Sequence, residues 1–94
     1  MQDLYQKFES RGIKCGGILL LRAANAIDFI EAARSQHQRV LGIDSFLITE
    51  TTTQPMEDHI LDLSAGTETT DSWSESKQFI EERHNLDFWF EIVV

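Results

Sequence analysis

Three histidines and one cysteine are the residues whose chemistry could serve a metal or a nucleophile. His37 falls at the end of one helical stretch, His59 heads an alternating segment, and His84 closes a second helical stretch. No two stand at a ligand spacing such as H-x3-H, and a lone Cys15 cannot supply a thiolate cluster. His59 and Asp62 form H-x-x-D, but residues three apart in a strand point to opposite faces. Cys15 lies beside Gly16 and Gly17, where a sharp turn would expose a thiol. Only Lys14 is close enough in sequence to depress its pKa, so a buried, inert thiol at a strand start is the expectation. Gly12, Gly16 and Gly17 match neither G-x-G-x-x-G nor G-K-[ST], which excludes a phosphate loop. Carboxylates are plentiful, yet no spacing places two of them in a pocket for acid–base work. The expectations are no catalysis, no metal and no cofactor.

The other chemistry on offer is recognition. In DFWFEIVV (87–94), Phe88, Phe90, Ile92 and Val94 fall on one face and Asp87, Trp89, Glu91 and Val93 on the other. The first set is a core face. The second places an indole among carboxylates, where a plain solvent face would carry Thr, Lys or Ser. If helices cover the first face, Trp89 and Glu91 project from the open one. Either Trp89 anchors a partner, or the N-terminal helix covers it through Leu4 and Phe8.

The elements that position these residues follow from periodicity. Asp3 can cap a short helix bearing Leu4, Tyr5 and Phe8, with Gly12 ending it. CGGILLL (15–21) reads as one buried strand. From about Ala24, apolar residues at 26, 27, 29, 30 and 33 give helical spacing. RVLGIDSFLIT (39–49) is a strand with a bulge expected at Gly42. ETTTQP is expected to turn the chain rather than continue a strand. DHILDLS (58–64) alternates, with His59, Leu61 and Leu63 opposite Ile60, Asp62 and Ser64. Ser72 and Glu75 form a capping box for a helix to about His84, with Trp73, Phe79 and Ile80 apolar and Asn85 as a left-handed stop. Trp73 is expected to pack on the sheet edge.

The order is a helix and then β-α-β-β-α-β, the split βαβ pattern of ferredoxin-like folds. The expected fold is α+β: a four-stranded, mostly antiparallel sheet with helices on one face, the N-terminal helix being extra. Ninety-four residues form one domain, 1–94. A hydrophobic fraction of 41% suffices for a globular core. No apolar run nears the roughly 20 residues that span a bilayer, and the N-terminus lacks a signal-peptide pattern. With a single cysteine, the expected setting is a reducing cytoplasm.

Charge narrows the partner. Residues 1–50 hold six acids and six bases; residues 51–94 hold ten acids against Lys77 and Arg83, so the whole net charge of −8 lies in the second half. Such a field repels nucleic acid and anionic membranes and attracts basic proteins. The candidate partner-binding residues are Trp89, Glu91, Asp62, Glu68, Asp71 and Trp73, with Glu57 and Asp58. The chain is expected to be a monomer or weak dimer.

A strand leading into AIDFIEAARSQ, then VLGIDSF, HILDLS and a terminal FEIVV in a small acidic chain resembles the immunity proteins of bacterial polymorphic toxin systems. Contact-dependent growth inhibition systems are the best-known users. The resemblance covers roughly residues 17–94 as a pattern of segments. It implies tight one-to-one binding and blocking of a cognate toxin domain, often a basic nuclease, and carries no portable catalytic residues. The alternative is a small-ligand regulatory domain built on a βαββαβ sheet.

Overall fold

Asp3 caps the first helix as its side chain suggests: the carboxylate accepts from the Gln6 N–H at 2.8 Å, and α1 spans Leu4–Phe8. A 3-10 turn (Glu9–Arg11) leads to Gly12. The computed structural model, which describes residues 3–64 and 71–94, then departs from the single strand expected over 15–21. Gly16 and Gly17 take φ of +58° and +86°. Two consecutive left-handed residues make the two-residue turn whose twist matches paired strands, and glycine alone enters that region without a Cβ penalty. The segment therefore folds as a hairpin of β1 (Ile13–Cys15) and β2 (Ile18–Leu20), with Cys15 opposite Ile18.

Helix α2 (Ala23–Ser35) buries Ala26, Phe29, Ile30 and Ala33, the i, i+3, i+4, i+7 stripe read from the sequence. His37 ends it with φ of +56°; its N–H bonds the Arg34 carbonyl at 3.0 Å, and the Gln38 N–H bonds the Ala33 carbonyl at 2.8 Å. This is a Schellman stop with histidine where glycine is usual.

Strands β3 (Gly42–Ile48), β4 (Thr53–Asp62) and β5 (Phe88–Val93) form an antiparallel sheet in the order β4-β3-β5. ETTTQP turns the chain over its first three residues, as expected, with the Thr49 N–H bonding the Thr52 carbonyl at 2.8 Å, but β4 already starts at Thr53 and runs through Pro55. A proline is tolerated because β4 is an edge strand, where a missing N–H need not break a ladder. The register shifts between Asp44, opposite Ile60, and Phe46, opposite Pro55, so three extra residues of β4 bulge out of the pairing. Helix α3 (Ser72–Glu81) is capped not by Ser72 but by Asp71, whose carboxylate accepts from the Ser74 N–H at 3.0 Å. Ser72 is buried instead, and its hydroxyl accepts from the Val40 N–H at 3.1 Å. The helix stops at Glu81, short of His84. Among the described residues His37 is the one non-glycine with positive φ, so Asn85 is not the left-handed stop.

The class is α+β, but the strand order is not the ferredoxin-like one. A split βαβ sheet needs the first strand of the repeat inside it. Here the Gly-Gly turn leaves β2 three residues long, and β3 takes the centre. The hairpin joins the three-stranded sheet through a single antiparallel bridge, Leu21 to Phe90, with bonds of 2.9 and 2.7 Å. Beyond it the edge of β5 is served by Tyr5, whose hydroxyl donates to the Ile92 carbonyl and accepts from the Val94 N–H, both at 3.1 Å.

The main core lies between the inner face of the sheet and all three helices: Leu4, Phe8, Phe29, Ile30, Ile43, Phe79, Ile80, Phe88, Phe90 and Ile92 share one buried cluster. Leu61 packs against it half-buried, and Leu63 is buried. No helix among the described residues is long and apolar enough to cross a membrane.

Candidate functional site

Alternation along the three sheet strands sends the remaining side chains outward. Trp89, Glu91 and Val93 of β5 share this outer face with Asp44, Phe46 and Ile48 of β3 and with Ile60 and Asp62 of β4. Register orders them in rows. Trp89 faces Phe46; Glu91 faces Asp44, which faces Ile60; Val93 faces Gly42, which faces Asp62. Three of the expected site residues (Trp89, Glu91, Asp62) are thus brought together, joined by Asp44 and Phe46, which sequence reading did not nominate.

Part of the outer face is covered, though not by α1, whose Leu4 and Phe8 belong to the main core. The cover is the β1–β2 hairpin. Leu21 pairs with Phe90 and so faces inward, which leaves Leu20 for the other side. Leu20 is 1% exposed yet stands outside the main core cluster. The hairpin is tied to β5 at Leu21, while its Cys15 Sγ reaches to 3.9 Å from Thr53 Oγ1, at the start of β4. It therefore arches across the sheet, and Phe46, Ile48 and Trp89 are half-buried. Cys15 itself is half-exposed beside the turn, not buried as expected.

Trp89 is neither bare nor under the N-terminal helix. The Arg22 guanidinium stands 4.3 Å from the centre of its indole, and Arg22 Nη1 bonds Asp87 at 2.6 Å and the Phe88 carbonyl at 3.3 Å. Arg22 precedes α2 without capping it; its side chain is committed to this stack.

At the other end the face is open. Ile60 is 49% exposed, and Gly42 leaves the middle of its row without a side chain. A Cβ there would come within 2.9 Å of the Leu61 carbonyl oxygen. The result is a shallow groove of about 350 Å3, with Leu41, Ile60 and Val93 as apolar walls and Asp44 and Asp62 along it. Glu91, beside Val93, lines the adjoining cleft under the hairpin. Burial, and then the Asp44 carboxylate with which it shares a hydrogen bond, raise the Glu91 pKa above its ordinary range. Asp62 is held low by hydrogen bonds from the Ser64 hydroxyl (2.6 Å) and N–H (3.0 Å).

The other nominated residues lie elsewhere. Trp73 packs against the main core, on the opposite side of the sheet, with Nε1 donating to the Gln38 carbonyl at 2.8 Å. Asp71 is occupied as the α3 cap, and bonds from the Ser74 N–H and hydroxyl lower its pKa. Glu57 and Asp58 are exposed on the bulged edge of β4. Glu68 lies outside the described residues. His59 Nδ1 accepts from Arg83 Nε at 3.1 Å, and its ring lies 4.9 Å from that of Phe88. Among the described residues no group of His, Cys, Asp and Glu could hold a metal ion. Comparison with family models, curated proteins and solved structures returns no match to this chain.

Proposed function

We propose that this chain is an immunity protein that binds a cognate toxin domain of basic character, one to one, through the outer face of its sheet. The observation that carries the reading is the open end of that face, where Ile60, Leu41 and Val93 sit among Asp44, Asp62 and Glu91. An apolar centre within a charged rim is how protein-binding patches are built. The −8 charge of the second half adds steering toward a basic partner. The cytoplasm, where an incoming toxin would act, is the proposed setting. A small-ligand regulatory domain has less support, because the βαββαβ order that suggested it folds here as β4-β3-β5.

The test is calorimetric titration of candidate toxin domains of basic character into this protein. One-to-one binding, weakened by about 2 kcal/mol or more in Ile60→Ala with the fold intact, is the expected result for a central contact. A toxin domain that remains fully active with this protein in excess would end the reading.

A further inference from the structure

The rows of the outer face place a short channel beside a pair of carboxylates. Gly42 contributes no side chain between Val93 and Asp62, and the Leu61 carbonyl at 2.9 Å from any added Cβ keeps the position empty. The channel walls, Leu41, Ile60 and Val93, are apolar, and the first two are 36% and 49% exposed. At its side stand Asp44 and Glu91, directly opposite each other on neighbouring strands. Like charges in that position repel. No basic side chain among the described residues pairs with Asp44, Glu91 or Asp62. Lys14 shares the adjoining cleft with Glu91, but its ammonium is held by Glu9 at 2.6 Å. Tyr5, the other polar residue of that cleft, is engaged with the backbone of β5.

We infer, on the footing of the proposed function, that this channel receives one arginine of the partner, its stem along Ile60 and Val93 and its guanidinium against Asp44 and Glu91. The chemistry selects that occupant. A metal ion is disfavoured because no described cluster has ligand geometry. A second copy of this chain would bring another −8 to an already anionic face. A hydrocarbon stem ending in a delocalised cation matches apolar walls leading to paired carboxylates, and the planar fork of arginine addresses two acceptors at once. Burial and the facing Asp44 carboxylate raise the Glu91 pKa, so occupancy by a cation strengthens as pH rises through the Glu91 titration. The titratable groups facing Glu91 are Asp44 from β3, Lys14 from β1 and Tyr5 from α1, with Asp62 on β4 across Gly42.

The test needs no toxin, which separates its failure from failure of the immunity reading. N-acetylarginine methylamide and its uncharged isostere, N-acetylcitrulline methylamide, are titrated into the whole protein by NMR. Expected are saturable shifts at the Ile60 and Val93 methyls with the arginine probe only, and a fall in the Glu91 carboxyl titration midpoint in its presence. The double variant Asp44→Asn, Glu91→Gln, which keeps shape, should lose at least about tenfold in probe affinity, as expected for removing charge-assisted bonds. Equal shifts with the citrulline probe, shifts confined to other residues, or none up to high millimolar concentration would overturn the assignment. So would shifts at Ile60 on raising protein concentration alone, which would assign the channel to a second copy.

Discussion

Glu91 and Tyr5 carry the clearest single-residue arguments. The Glu91 pKa is raised in the folded chain, so between its ordinary value of 4.5 and the folded value the folded state binds the extra proton. Its contribution to stability is present below the unfolded value and lost as pH rises through the folded one. Glu91→Gln is therefore expected to stabilise at about pH 7, by roughly 0.2–1 kcal/mol for relief of a cross-strand repulsion. The gain should vanish near about pH 3, well below the unfolded value, where the carboxyl is protonated in both states; paired urea titrations at the two pH values check it. Asp62, Asp71 and Glu31 have lowered values and act oppositely, giving stability above their unfolded range that is lost as pH falls through the folded one. Tyr5→Phe removes a hydroxyl that closes two backbone bonds at the end of β5. At about 0.5–1.5 kcal/mol per bond, a loss of roughly 1–3 kcal/mol is expected in chemical denaturation, with the Phe29 contact of the ring retained.

Among elements, the hairpin and the end of α2 depend on backbone conformations that most residues resist. His37 holds a left-handed conformation that costs an L-residue about 1–2 kcal/mol. Its side chain makes no hydrogen bond among those observed, so His37→Gly should raise stability by about 0.5–1 kcal/mol. An unchanged melting temperature would mean that the strain is relieved elsewhere. Gly17 has the same conformation, with φ of +86° and open space where a Cβ would project. Gly17→Val therefore tests backbone strain alone. It should loosen the hairpin, expose Leu20 and raise the exchange rate of the Leu21 and Phe90 amides, which form the bridge to β5.

At the scale of the molecule, two layers of different strength share one sheet. The inner layer is the continuous core, and Phe90, 1% exposed at its centre, should cost about 3–5 kcal/mol when truncated to alanine. The outer layer is thin, with the hairpin over Phe46 and Trp89 at one end and a bare acidic groove at the other. Arg22 stacks on Trp89 and bonds Asp87, joining the start of α2 to β5 across 67 positions of chain. Long-range charge should act on capture of the proposed basic partner more than on its retention. Association should slow steeply as salt shortens the screening length from about 10 Å at 0.1 M to about 3 Å at 1 M, while dissociation changes little. A flat association rate would reduce the −8 to solubility.

Residues 24–35 and 87–94 disclosed their faces in sequence, because periods of 3.6 and 2 follow from backbone geometry alone. The core membership of Phe29, Ile30, Phe90 and Ile92 was therefore legible, as was the Trp89–Glu91–Asp62 face. Local pattern failed at CGGILLL and at the end of ETTTQP, where Thr53–Pro55 join β4. There a glycine pair could serve a strand or a turn, and a proline could end a strand or lie on its edge; the pairing partners decide. Sequence also could not place Asp44 opposite Glu91 or Arg22 over Trp89, since those meetings depend on register and on contacts made 47 and 67 positions apart. The chain by itself determined which side chains face inward and how much negative charge remains outside. The tertiary structure alone decided that the hairpin shelters one end of the outer face and that Gly42 leaves the other end open, because strand order and cover are settled by competition among distant segments for the same edge.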